Sequence, residues 1–323
     1  MDHRQDQLCS WLTDQFITLG QPAAAEAPLS PVSGDASFRR YFRLNAGGAS
    51  WIAVDAPPDK ENSAPFVEIA GRLADAGLRV PKVHAYDLQQ GFMLLDDLGD
   101  TLYRQLITAH NGEQYMGEFM PVLQRLATAV STDGLPLYSE ALLQREMDEF
   151  PDWYLGHHTG VQFDERERQQ WQAFCRLLLD AAAEQPQVFV HRDFMSSNLM
   201  RTPGGEVGVI DFQDAVVGPL AYDFASLVWD RYLSWPRPQL EQWMEQARQA
   251  IGVEVSPQQW QRWCDWTGLQ RNLKIVGRFA RLCYRDDKPA YLELLPRFIG
   301  FVRDVLARYE EFAPYREMLE RRL

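Results

Sequence analysis

The stretch Val190-His191-Arg192-Asp193-Phe194-Met195-Ser196-Ser197-Asn198-Leu199, followed by Val209-Ile210-Asp211-Phe212, decides how this 323-residue chain reads. An apolar run, 188–190, ends and delivers a carboxylate, Asp193, into a polar loop. Five residues on, the carboxamide of Asn198 emerges beside a short hairpin that turns at Thr202-Pro203-Gly204-Gly205. The return run, 207–210, ends on Asp211. Three oxygen-bearing side chains at the ends of apolar strands suit a hard cation and a hydroxyl that has to lose its proton. A lone His-x-Asp would as readily cap a turn; the full spacing, closing thirteen residues after Asn198, is far more specific.

On either side of this β island the periodicity changes. The first hundred residues read as strand-rich, with runs at 38–44 and 51–56 joined by the loop 45–50, and further runs at 82–87 and 92–95. Between them Phe66, Ile69, Ala70 and Leu73 recur at helical spacing, and Gly77 follows as a helix stop. Beyond residue 100 helical spacing dominates. Trp171, Phe174, Cys175, Leu178, Leu179 and Ala182 form one apolar stripe; Phe298, Phe301, Val302, Val305 and Tyr309 form another. The expected fold is α+β: a small β-rich N-terminal lobe, residues 1–97, that binds nucleotide, and a larger, mainly helical C-terminal lobe, residues 98–323, for catalysis and substrate.

Composition sets outer limits. With 32 basic and 45 acidic residues the net charge is −13, which argues against a nucleic-acid binder, whose affinity rests on a basic surface. Cys9, Cys175, Cys264 and Cys283 are widely spaced, so neither a disulfide framework nor a structural zinc site is expected. No apolar run is long enough to span a membrane, and residues 1–16 lack the pattern of a signal peptide. The expectation is a cytoplasmic monomer with neither nucleic acid nor membrane as partner.

His-x-Asp-x-x-x-x-Asn with a following Asp-Phe is the catalytic-loop and metal-binding pattern of phosphoryl transfer. The chain resembles the superfamily of aminoglycoside phosphotransferases and choline kinases, which has a bilobal protein-kinase-like fold. Gln213 stands where a protein kinase has glycine after Asp-Phe, and Gly218-Pro219-Leu220-Ala221-Tyr222-Asp223 replaces a long activation segment. Both features favour a small-molecule acceptor. The resemblance implies ATP and Mg²⁺ as cofactors, Asp193 as the catalytic base, Asn198 and Asp211 as metal ligands, and His191 and Asp223 as structural supports. Ser33, Gly34, Asp35, Ala36 and Ser37 fall at the nucleotide-covering loop, and Asp97-Leu98 where backbone groups meet the adenine edge.

One departure stands out. The strand lysine of kinases is missing, because the corresponding run reads Trp51-Ile52-Ala53-Val54-Asp55. Arg40, Arg43 and Lys60 are the candidate replacements, with Arg40 preferred. Asp214, Asp230 and Arg271 are candidates for the acceptor pocket.

Segments 33–43, 55–61 and 94–103 are also similar to those of the bacterial anomeric kinases that phosphorylate C1 of N-acetylmuramate and N-acetylglucosamine in cell-wall recycling. An amino sugar is therefore the expected partner. Two alternatives stay open: another small alcohol, such as an aminoglycoside, choline or homoserine, and a catalytically silent nucleotide-binding regulator.

Overall fold

The computed structural model describes residues 2–32, 38–46 and 48–323, with the side chains of Ala23 and Ala25 left out. The nucleotide-loop residues Ser33, Gly34, Asp35, Ala36 and Ser37 thus lie outside the described residues. The chain divides into two compact units, Met1–Tyr103 with Asn198–Asp214, and Arg104–Ser197 with Ala215–Leu323.

The first unit opens with a helix that the sequence reading does not anticipate. In α1 (His3–Thr18) the Asp2 side chain caps the first turn by accepting from the Gln5 N–H at 3.2 Å. Leu8, Trp11, Leu12 and Phe16 recur at helical spacing and are buried. They cover one face of an antiparallel sheet of β1 (Ser30–Val32), β2 (Arg40–Ala46), β3 (Ala49–Asp55), β4 (Val83–Asp87) and β5 (Phe92–Asp96), in the order β1-β2-β3-β5-β4. Strand alternation decides what each face carries. Phe42, Leu44, Ala53, Phe92 and Leu94 pack with the α1 residues in one core, which leaves Tyr41 and Arg43 on the opposite face. Between β3 and β4, helix α2 (Ala64–Asp75) buries Phe66, Ile69, Ala70 and Leu73, the stripe expected of it.

In the second unit α3 (Gly112–Thr128) and α4 (Glu140–Met147) lead through a π-helical turn at Phe150–Thr159 to α5 (Glu165–Ala183). A reciprocal Asp164–Glu167 capping box starts α5. Then comes β6 (Gln187–Val190).

At Asn198 the chain returns to the first unit for the hairpin β7 (Leu199–Arg201) and β8 (Val207–Val209). Backbone bonds stitch that hairpin to its unit: Val209 N donates to Arg79 O at 2.8 Å and Arg201 N to Thr101 O at 2.9 Å. Gly208 permits the close approach, since a Cβ there would stand 2.8 Å from Leu98 Cδ1.

Back in the second unit, β9 (Val216–Pro219) pairs antiparallel with β6. Helices α6 (Tyr222–Val228), α7 (Arg237–Ile251), α8 (Pro257–Asp286), α9 (Leu295–Arg308) and α10 (Ala313–Glu320) complete it. The 30-residue α8 buries side chains on nearly all sides, including Trp260, Leu269, Leu273 and Val276, as befits a central helix.

Candidate active site

Asp193 belongs to the second unit. Strand β6 carries the buried Phe189 and Val190, and its end leads into His191, which is 1% exposed. The turn that follows is unusual for an L-residue: Arg192 has φ +75°. Asp223, in the first turn of α6, holds it in place. Its Oδ2 accepts the His191 N–H at 2.7 Å and its Oδ1 the Arg192 N–H at 3.0 Å, while Ser226 Oγ donates to Arg192 O at 2.9 Å. Four residues later a second carboxylate does the same. Asp230 Oδ2 accepts from Ser196 N at 3.1 Å and Ser196 Oγ at 2.7 Å. The intervening Phe194 and Met195 are buried anchors. Asp193 is therefore presented from a loop clamped at both ends, with its side chain 53% exposed.

Its surroundings are cationic. Loss of water around Asp193 acts to raise its pKa, but the charges of Lys274, Arg271, Arg231 and His191 outweigh this and hold it below the usual carboxylate range. Asp223 goes the other way. Burial pushes it up to about 6, against the pull of His191 and the two backbone N–H groups, with Asp193 adding repulsion.

Below the loop lies a polar network that sequence reasoning passed over. Glu146 on α4 takes Lys274 Nζ at 2.9 Å, Arg192 Nη2 at 2.7 Å and the Tyr138 hydroxyl. Burial acts to raise the Glu146 pKa, but Lys274 and its other donors bring it below the usual range. No motif marks these residues, because Glu146 and Lys274 are far apart in sequence and meet only through helix packing.

Asn198 and Asp211 belong to the first unit, and the hairpin brings them together: Asn198 Nδ2 donates to Asp211 Oδ2 at 3.2 Å. Asp211 has φ +65°, and Gln213 Nε2 donates to its other oxygen at 2.9 Å. Phe212 is buried against Phe66 of α2, with ring centroids 4.9 Å apart, which anchors the Asp211 backbone. Among the described residues no cluster of three His, Cys, Asp or Glu side chains could hold a metal. A carboxylate beside a carboxamide oxygen still fits Mg²⁺, which commonly takes one or two protein oxygens and completes its shell with phosphates and water.

The Asp97 carboxylate braces its own loop. It accepts from Arg43 Nε at 2.6 Å, Ser50 Oγ at 2.5 Å and Gly99 N at 2.9 Å. Burial acts against its charge, yet these donors hold its pKa below the usual range. Its neighbour Leu98 is buried over Gly208.

Arg40, the preferred substitute for the missing lysine, lies on the α1 side of the sheet. Its guanidinium is divided between Asp55, at 3.0 Å from Nε, and Asp2. Asp55 is fully buried and also takes Arg4 Nε at 2.9 Å. Arg43 is held by Asp97 and Asp100, and Lys60 lies 3.7 Å from Asp59. A further cation, which the sequence reading overlooked, is Arg39, directly before β2. It is buried, lies 3.2 Å from Glu61 and shares a hydrogen bond with Tyr41. Burial pushes the Tyr41 phenol up, and the negative charges of Asp211 and Glu61 add to this.

A β-rich unit, a mainly helical unit and an Asp loop clamped by Asp223 and Asp230 are the parts expected of a phosphotransferase. The profile of the phosphotransferase enzyme family matches residues 28–266, and the chain belongs to that family. It is 42% identical over 327 residues to the N-acetylmuramate/N-acetylglucosamine kinase of Pseudomonas putida, covering 98% of this chain and 96% of that protein. Its identity to the Neisseria meningitidis protein of the same name is 37% over 326 residues, covering 98% and 95%. Among solved structures, Plasmodium vivax ethanolamine kinase aligns with TM-score 0.64 at 12% identity, covering 90% of this chain and 88% of that one. A thermostable mutant of the aminoglycoside phosphotransferase APH(4)-Ia, in ternary complex with AMP-PNP and hygromycin B, aligns with TM-score 0.60 at 17% identity, covering 91% and 97%. These two likenesses establish the fold. No helix among the described residues is long and apolar enough to cross a membrane.

Proposed function

We propose that the chain is an ATP-dependent kinase acting on the anomeric (C1) hydroxyl of N-acetylmuramate and N-acetylglucosamine. The observation that carries this reading is Asp193: a half-exposed carboxylate, kept ionised by surrounding cations, on a loop fixed by Asp223 and Asp230. Such a group accepts a proton from a hydroxyl and holds its oxygen in line. The names of relatives 42% and 37% identical over nearly the whole chain support the choice of sugar.

In the reaction the acceptor oxygen forms a bond to the γ-phosphorus as the bond to the β-phosphate bridging oxygen breaks. The proton passes to Asp193, and ADP leaves. Asn198 and Asp211 would hold Mg²⁺. When bound, that ion supplies positive charge against the phosphate oxygens. Arg39, paired with Glu61, is the cation this reading assigns to the nucleotide in place of the absent strand lysine.

Phosphorus NMR of the products tests the proposal. Both sugars should give an acid-labile C1 phosphate, and Asp193→Ala should lose turnover by about a thousandfold while still binding ATP. A C6 phosphate would refute the anomeric assignment, and near-normal turnover in the variant would refute the role of Asp193.

A further inference from the structure

Arg271 stands 4.0 Å from Asp193, the charge of Arg231 also acts on that carboxylate, and neither guanidinium makes a close ion pair among the described residues. Arg271 on α8 is only 2% exposed. Its guanidinium reaches the Trp229 carbonyl at 3.4 Å and stands 4.0 Å from Asp193 Oδ1. Both distances exceed those of a well-formed N–H···O bond. Arg231 lies over the Phe279 ring, 5.6 Å from its centroid, and its buried Nε has no hydrogen-bond partner among the described residues.

The neighbouring charges are already committed. Glu146 is shared by Lys274 and Arg192. Asp223 accepts the N–H groups of His191 and Arg192. Asp230 takes Ser196 on one oxygen and Tyr232 N, at 2.7 Å, on the other. Among the described residues Asp193 is thus the carboxylate that Arg271 approaches, and it does so at the limit of ion-pair distance. A guanidinium carries five donors, and a buried charge without matching acceptors is costly. Such an arrangement suits a site whose missing anion arrives with a ligand.

We propose that Arg271 and Arg231 receive a carboxylate of the acceptor, next to the hydroxyl that Asp193 activates. This rests on the sugar-kinase reading above. N-acetylmuramate bears a lactyl ether carboxylate that N-acetylglucosamine lacks, and planar guanidinium groups match a carboxylate bidentately. The pair is therefore a specificity element for the acidic sugar and does not serve the neutral one.

The test measures kcat and KM for both sugars at saturating MgATP, using the full chain and its Arg231→Gln, Arg271→Lys and Arg271→Gln variants. Arg231→Gln and Arg271→Lys should raise KM for N-acetylmuramate about 10- to 100-fold more than KM for N-acetylglucosamine, as expected for lost charge-assisted bonds. Arg271→Gln should shift the ratio the same way if its melting curve shows that it folds. Should it not fold, the two milder variants decide. An equal loss of kcat on both sugars would assign the arginines to the transferred phosphoryl group and overturn the proposal; so would an unchanged KM ratio. If the wild type phosphorylates both sugars and the ratio does not move, only this inference falls. If it phosphorylates neither, the sugar-kinase reading falls first.

Discussion

Asp223 binds the backbone of His191: its Oδ2 accepts that residue's N–H at 2.7 Å, while its Oδ1 accepts the next N–H, of Arg192, at 3.0 Å. One buried carboxylate therefore fixes two successive amides directly before Asp193. It also stabilises a left-handed Arg192, a conformation that costs a non-glycine residue roughly 1–2 kcal/mol. The consequence is that the aim of Asp193 depends on a residue 30 positions later.

Replacing Asp223 by alanine removes both acceptors. Turnover should fall about 10- to 100-fold, since a carboxylate displaced by even an ångström loses alignment with its hydroxyl. KM for ATP should change far less. Asparagine keeps one acceptor oxygen and should restore part of the lost kcat. Steady-state kinetics of the two variants checks the order; equal kcat in wild type and alanine variant would remove Asp223 from the positioning role.

Arg39 and Arg40 are sequence neighbours with different partners: Arg39 pairs with Glu61, Arg40 with Asp55 and Asp2. Arg39→Gln should raise KM for ATP about tenfold or more, the effect of losing a charged contact. Arg40→Gln instead leaves the buried Asp55 with Arg4 alone, and should lower the melting temperature while changing KM for ATP less. Thermal melts and ATP titrations of the pair separate the two roles. A larger KM effect from Arg40 would reverse the assignment.

That contrast shows where the sequence could be read and where it could not. The runs 82–87 and 92–95 announced β4 and β5, and the Phe66–Leu73 stripe announced α2, because period two and period 3.6 are local signals. The Asp193, Asn198 and Asp211 pattern stood out because its spacing is local too, and the hairpin joins Asn198 to Asp211. Helix α1 was missed because its apolar residues are diluted by eight polar or charged ones between Arg4 and Gln15. The preference for Arg40 rested on its position along the chain, whereas its ion pairs with Asp55 and Asp2 are set by packing on the α1 side of the sheet. Glu146 and Lys274 had no local signal at all, since 128 residues separate them and only tertiary packing joins them.

Asp211 carries a prediction about ligand linkage. A ligand that binds only the folded state stabilises it by about 2.7 kcal/mol at a hundred times its Kd. MgATP should therefore raise the melting temperature of the wild type, and Asp211→Asn should lose the part of that rise that depends on Mg²⁺. Asn198→Ala should lose less, because it removes a neutral oxygen and leaves the charge. Melting curves with ATP plus Mg²⁺ and with ATP plus EDTA measure the difference. An Asp211→Asn variant with the full Mg²⁺-dependent shift would exclude it as a metal ligand.

Asp223 also makes stability depend on pH, with a definite sign. Burial pushes its pKa up to about 6 in the folded chain, whereas an unfolded aspartate titrates near ~3.9. Between these values the folded state keeps a proton that the unfolded state has lost. The contribution is thus fully present below about pH 4 and is lost as pH rises through about 6. Asparagine cannot ionise, so the wild type should lose stability relative to Asp223→Asn by on the order of 2–3 kcal/mol from pH 4 to pH 7. Asp193, whose depressed pKa acts in the opposite sense, is present in both proteins and drops out of the comparison to first order. Urea unfolding of both proteins at pH 4, 5, 6 and 7 gives the difference directly. A constant difference would mean that Asp223 is ionised across the whole range, held so by the two N–H groups it accepts.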